Sequence, residues 1–174
     1  MALIVLDAGH GGDNPGAVYQ GRQEKDDALA LTMAVGDILE RNGVDVYYSR
    51  TTDIYETPTE KALDANRIGA EYFISIHRNS SPIPNQYTGV ESLVYYPYGA
   101  AADMAYSINA ELEQIGFVNQ GVNVRQNLAV LRRTNMPAVL VEVGFINNDA
   151  DNQLFDDRFQ EIAQAIADGI LNAL

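Results

Sequence analysis

Two histidines and two glutamates stand at positions where side chains from distant parts of the chain can meet. His10 follows an aliphatic run, Leu3 to Leu6, and sits in a glycine-rich break with Gly9, Gly11 and Gly12. The run reads as a strand buried on both faces, and the glycines let the backbone bend sharply at its carboxyl end. His77 closes a second such run, Tyr72-Phe-Ile-Ser-Ile76. Glu142 lies inside a third, Ala138 to Phe145, where an ionised side chain is costly unless it has a partner. Glu24 opens a helix one loop beyond His10. In a parallel sheet the carboxyl ends of strands share one edge, which is where open α/β proteins bind ligands. Two imidazoles and one carboxylate form a three-ligand catalytic zinc set with a fourth position open, and a second carboxylate beside it takes a proton from water. Each residue also has a plainer reading. Glu24 serves equally as a first-turn carboxylate against the helix dipole. Glu142 has Arg125, Arg132 and Arg133 as potential ion-pair partners, and Asn79 and Asn147 read as turn formers.

The elements that must position these residues follow from hydrophobic periodicity. Ala28, Leu31, Val35, Ile38 and Leu39 define a first helix ending at Asn42-Gly43. Val44–Tyr48 is a strand. Thr57-Pro-Thr-Glu60 is a capping box with proline in the first turn, and its helix ends near Gly69. Residues 78–87, with Pro82 and Pro84, form a loop, and Val90–Tyr96 is a strand. Ala101, Met104, Ile108, Leu112 and Ile115 line a further helix; 121–127 reads as exposed polar chain and Leu128–Arg132 as a short strand. Phe155, Phe159, Ile162, Ile166 and Ile170 give one final amphipathic helix. Alternating strands and helices predict a single α/β domain over residues 1–174, with a mostly parallel sheet and helices on both faces.

Composition narrows the function. The chain has 174 residues and a net charge of −13, so nucleic acid, which needs a basic surface, is excluded as a partner. Without cysteine there is no disulfide, thiolate metal site or cysteine nucleophile. Two histidines in all mean that any zinc site must be completed by carboxylate and water. No apolar run is long enough to span a bilayer, and the first residues do not read as a signal peptide. Of the ten tyrosines, Tyr47, Tyr48, Tyr95 and Tyr96 fall in predicted strands and read as packing residues rather than sugar platforms.

Taken together, the motifs resemble a known family. Leu6-Asp-Ala-Gly-His-Gly-Gly12, Glu24-Lys25, Ala65-Asn66, Phe73-Ile-Ser-Ile-His77 with Asn79, and Val130-Leu-Arg through Met136-Pro-Ala-Val-Leu-Val-Glu-Val-Gly-Phe145 occur in order along almost the whole chain. The set is similar to the catalytic domain of zinc-dependent N-acetylmuramoyl-L-alanine amidases, the type-3 amidases of bacteria and their phages. The resemblance implies a twisted sheet of about six strands. It makes His10, Glu24 and His77 the zinc ligands and Glu142 the catalytic acid/base. Peptidoglycan is then the substrate, cleaved between N-acetylmuramic acid and L-alanine by a monomer acting on the bacterial wall, outside the cell or in the periplasm. A zinc peptidase acting within the stem peptide, or a non-catalytic wall-binding module, are the competing readings. Two positions depart from the family pattern: Lys61 replaces a frequent arginine, and Arg78 replaces a small residue after the second histidine. Arg78 and Asn79 are the expected substrate contacts. Some relatives plug the metal site with an inserted helix; the loop after His77 is too short for one, which predicts an open site.

Overall fold

The computed structural model describes all residues, 1–174. In chain order it contains β1 (Leu3–Ala8), β2 (Val18–Tyr19), β3 (Arg22–Gln23), α1 (Glu24–Arg41), β4 (Asp45–Tyr48), α2 (Pro58–Ile68) and β5 (Tyr72–Asn79). There follow β6 (Val90–Val94), α3 (Ala100–Ile115), β7 (Asn119–Val124), α4 (Ala129–Arg132), β8 (Ala138–Phe145), α5 (Asp149–Asp157) and α6 (Phe159–Ala173). Six strands form one sheet in the order β4-β1-β5-β8-β6-β7, and β2 and β3 make a separate two-stranded ribbon. All neighbours in the large sheet are parallel except β6 and β8. This is the expected α/β architecture.

Period-two side-chain alternation divides the sheet into two unlike faces. Ile4 and Leu6 of β1, Ile74 and Ile76 of β5, and Val139, Val141 and Val143 of β8 belong to one large core with residues of α1, α3 and α6. Val5, Phe73, Ala138 and Leu140 face the other way, into a smaller core with α2 and α4. By the same alternation Asp7, Ser75, His77 and Glu142 lie on this second face. The smaller core closes only part of it and leaves room for polar chemistry at the carboxyl ends of β1, β5 and β8.

Local signals set most boundaries. The Thr57 hydroxyl accepts from the Glu60 amide at 3.1 Å, and the Glu60 carboxylate accepts from the Thr57 amide at 2.8 Å, so the capping box is complete. Gly69 ends α2 at φ 68°. Three expectations are corrected. Residues 119–124 form an edge strand, β7, rather than exposed coil. Its polar sequence hides it, because backbone pairing to β6 and the Asn109 amide, which donates to Gly121 O at 2.9 Å, hold it in place. Leu128–Arg132 contains one helical turn, not a strand; a segment this short carries no readable period. The final helix is two, broken at Arg158 with φ −122°, and α5 begins earlier than expected because the Asn148 side chain caps it.

Helices α3 and α6 pack closely in the larger core. A Cβ on Gly169 would lie 2.6 Å from the Ile108 Cα, a backbone atom that cannot yield. Gly169→Val is therefore expected to force the two helices apart at a cost of about 3 kcal/mol, seen as a lowered midpoint in urea unfolding with the slope unchanged.

Candidate metal centre

His10, Glu24 and His77 meet. Each offers a ligand atom, and the three atoms lie within 4.8 Å of one another. Glu24 Oε1 is 3.1 Å from His10 Nε2 and 3.0 Å from His77 Nδ1. Both rings are oriented from behind. Asn14 Oδ1, which also accepts from the Gly16 amide, lies 2.9 Å from His10 Nδ1. Ser75 Oγ donates to Asp7 Oδ2 at 2.6 Å, so at 2.9 Å from His77 Nε2 it accepts. These acceptors place the protons of neutral His10 and His77 on the outer nitrogens. The inner nitrogens then point lone pairs at the same carboxylate oxygen. Three acceptors facing one another repel unless a cation sits among them, so the donor set fits a divalent metal such as zinc.

The surrounding backbone leaves no slack. His10 adopts φ 64°, rare for a residue with a side chain and concentrated at functional sites. A Cβ on Gly9 would lie 2.3 Å from His77 Cε1, and one on Gly16 would lie 2.5 Å from Glu24 Oε2 and 2.7 Å from His10 Cδ2. Both glycines are there because the rings and carboxylate occupy that volume. The buried Arg50 guanidinium donates to the carbonyls of Ala8, Gly9, Lys25 and Thr52, tying the His10 turn to the start of α1.

Electrostatics follow this geometry. When no cation is bound, protons on the inner imidazole nitrogens can take its place: burial by itself raises the Glu24 carboxyl, but hydrogen bonds from His10 and His77 then outweigh it and hold the group far below the usual carboxylate range. Burial lowers the His77 imidazole, yet Glu24, then the charges of Glu142 and Asp7, bring it to a net rise. Asp7 is pushed up by burial and brought down further by Lys61, whose Nζ stands 2.8 Å away; both side chains are almost wholly inside. The Ser49 hydroxyl also donates to Asp7, at 2.6 Å.

Glu142 pairs in register with His77 across β5 and β8. Its Oε2 is out of contact with solvent and has no hydrogen-bond partner. None of Arg125, Arg132 or Arg133 pairs with it, so the ion-pair reading of this residue falls. Burial pushes its carboxyl up to about 7, with His77 opposing and Glu24 and Glu91 adding to the rise. His10, His77, Asp7 and Lys61 open onto a cavity of about 430 Å³ walled also by Asn14, Tyr55 and Leu128.

Arg78 is not where a substrate contact must be. On β5 it shares parity with Ile74 and Ile76, so its side chain leaves on the opposite face from His77. There it is buried, with Nη1 2.7 Å from Asp27, Nη2 2.8 Å from Asn152 Oδ1, and the guanidinium 4.2 Å from the Phe155 ring centre. Burial pulls it down to about 10. Asn79 is half-buried, but it lines a small cleft with Tyr87, Glu91, Gln120 and Phe145 rather than the metal cavity. Asn147 is structural: its amide donates to Ser81 O and accepts from Ser81 N, pinning loop 80–89 to the end of β8. That loop holds no helix. Sequence reasoning missed the supporting group Asp7, Ser75 and Lys61. Its signal is Ser75 two residues before His77, on the same face of one strand, and Asp7 inside an apolar run.

With this geometry established, comparison with known proteins is decisive. Residues 4–172 match the family described as N-acetylmuramoyl-L-alanine amidase, and the chain belongs to that family. The sporulation-specific N-acetylmuramoyl-L-alanine amidase of Bacillus subtilis (strain 168) is 39% identical over 179 residues, covering 99% of this chain and 68% of the relative. Among solved structures, the amidase AmiC2 of Nostoc punctiforme superposes with a TM-score of 0.90 at 33% identity, covering 98% of this chain and 96% of that one. The catalytic domain of the amidase CwlV from Bacillus (Paenibacillus) polymyxa var. colistinus gives 0.90 at 34% identity, covering 99% and 97%. The protein is thus an amidase enzyme.

Removing the acceptor behind His77 frees its tautomer and orientation without touching the ligands. Ser75→Ala is expected to fold normally but to lose metal affinity by about 10- to 100-fold, measured by competition with a chromogenic chelator.

Proposed function

We propose that residues 1–174 act as one catalytic domain that hydrolyses the amide between N-acetylmuramic acid and L-alanine in peptidoglycan, with zinc held by His10, Glu24 and His77 and with Glu142 as the proton carrier. The observation that carries this reading is the convergence of three lone-pair donors beside a buried carboxylate oxygen without a partner. When bound, zinc would supply Lewis acidity, activating water and polarising the scissile carbonyl. The chain's own residues do the rest. Asn14 and Ser75 hold the imidazoles in the liganding tautomer. Asp7, anchored by Lys61, fixes Ser75. Glu142 accepts the proton of the attacking water as the carbon–oxygen bond forms, then delivers it to the L-alanine nitrogen as the carbon–nitrogen bond breaks. A carboxyl raised by burial is suited to both halves of that transfer near neutral pH. We keep Asn79 as a substrate contact, since its Nδ2 is unengaged while its Oδ1 accepts from Ser80. The enzyme acts as a monomer on the bacterial wall, outside the cell or in the periplasm. No helix is long and apolar enough to cross a membrane.

Glu142→Gln separates chemistry from metal binding. It should retain one zinc per chain by elemental analysis and lose at least a thousandfold in turnover on purified wall. Mass spectrometry of the wild-type digest should show free muramic acid lactyl ends and peptides starting at L-alanine; cuts inside the peptide would point to a peptidase instead. The same variant carries a stability signature in protein stripped of metal. Burial penalises the ionised carboxylate, so the native penalty appears as pH rises from the ordinary glutamate value, 4.5, toward about 7 and is complete above it. Glu142→Gln is expected to stabilise that form by about 2 kcal/mol at pH 8 and hardly at all at pH 4, read from denaturant midpoints.

A further inference from the structure

The metal cavity has a neighbour on the same face of the sheet. Leu140 of β8 lines the first cavity and Ala138, two residues back, lines the second. The single turn α4 stands between them, with Ala129 and Val130 on one side and Leu131 and Arg132 on the other. The second cavity measures about 440 Å³ and is walled by Tyr95, Tyr96, Tyr98, Met136 and the Arg132 side chain among others. Tyr96 and Tyr98 stack at 5.4 Å and remain largely exposed. Nothing in the mechanism above uses this space.

Arg132 stands out by its charge balance. The chain has 11 lysines and arginines against 24 acidic residues. Arg22, Lys25, Arg41, Lys61, Arg67, Arg78 and Arg158 are ion-paired, and Arg50 donates to four carbonyls. The cations left with neither a carboxylate nor such a set of carbonyls are Arg125, Arg132 and Arg133. All three belong to the stretch 125–133, whose residues Asn127 to Val130 border the metal cavity. Of the three only Arg132 lines the second cavity, and on a surface this acidic its unpaired guanidinium is available to an incoming anion. A guanidinium matches a carboxylate with two parallel hydrogen bonds.

The spacing along β8 fits the end of a peptide. From Glu142 to Ala138 the strand covers four residues, roughly 13 Å at strand rise. An extended peptide of four residues spans about the same distance. Resting on the amidase reading, we propose that the second cavity receives the distal end of the substrate's peptide. Arg132 pairs with the carboxylate there, while the tyrosines and Met136 cover its apolar side chains. A neutral glycan has no use for an unpaired guanidinium, whereas a peptide end carries an anion.

Two soluble substrates test this: N-acetylmuramoyl-L-alanyl-D-isoglutaminyl-L-lysyl-D-alanine with a free terminal carboxylate, and the same molecule as its terminal carboxamide. Wild type should show about tenfold higher kcat/KM on the acid. Arg132→Gln should lose about tenfold on the acid and less than threefold on the carboxamide. Binding of the acid to zinc-loaded Glu142→Gln protein, by calorimetry, should weaken about tenfold when Arg132→Gln is added. Equal losses on both substrates, or no loss on either together with unchanged binding, would overturn the proposal. If wild type cleaves neither substrate, the amidase reading fails separately, and the binding measurement still decides the role of Arg132.

Discussion

The placement of Asp7, Ser75, His77 and Glu142 depends on side-chain alternation along three adjacent parallel strands. Because residues two apart share a face, β1, β5 and β8 send Ile4 and Leu6, Ile74 and Ile76, and Val139, Val141 and Val143 to one side. That leaves Asp7, Ser75, His77 and Glu142 together on the other. The apolar face gives the sheet its anchor under three helices. The opposite face, only partly closed by the smaller core, is left free to hold the charged groups of the site.

Holding those groups in place has a recognisable architecture. The buried Asp7–Lys61 pair is poor evidence for stability, since two desolvated charges roughly cancel their own attraction. Its value is directional. Lys61 secures the carboxylate, the carboxylate takes the Ser75 proton, and Ser75 is thereby turned into an acceptor for His77. The order of hydrogen bonds thus determines which imidazole nitrogen faces Glu24. Lys61 supplies the cation that this relay needs. On the other flank, Gly9, Gly16 and the left-handed His10 admit the rings at distances that any added Cβ would forbid.

Much of this was legible in advance. His10, Glu24, His77 and Glu142 are each legible from their positions after, at the end of or within apolar runs and at a helix start, and the structure brings atoms of His10, Glu24 and His77 within 4.8 Å of one another and sets Glu142 beside His77. The sheet and the helices with long apolar periods were readable because burial imposes those periods. What escaped was short or polar: β7 is held at an edge by backbone pairing and side-chain amides, and α4 is one turn. Adjacency in sequence does not place Arg78 beside His77 in space, because one step along a strand reverses the face.

The sequence by itself determined the class of fold, the family and the identity of the chemical groups, since these reside in residue types and their spacing. Tertiary structure alone decided which nitrogen of each histidine faces inward, that Glu142 lacks any arginine partner, that Arg78 is an interior ion pair, and that a second cavity abuts the first across α4. The partners of each imidazole are close in sequence, but the relay behind Ser75 and the burial of Arg78 depend on contacts between residues 51 to 74 positions apart. No local pattern encodes them, because they arise only when the sheet sets distant strands side by side.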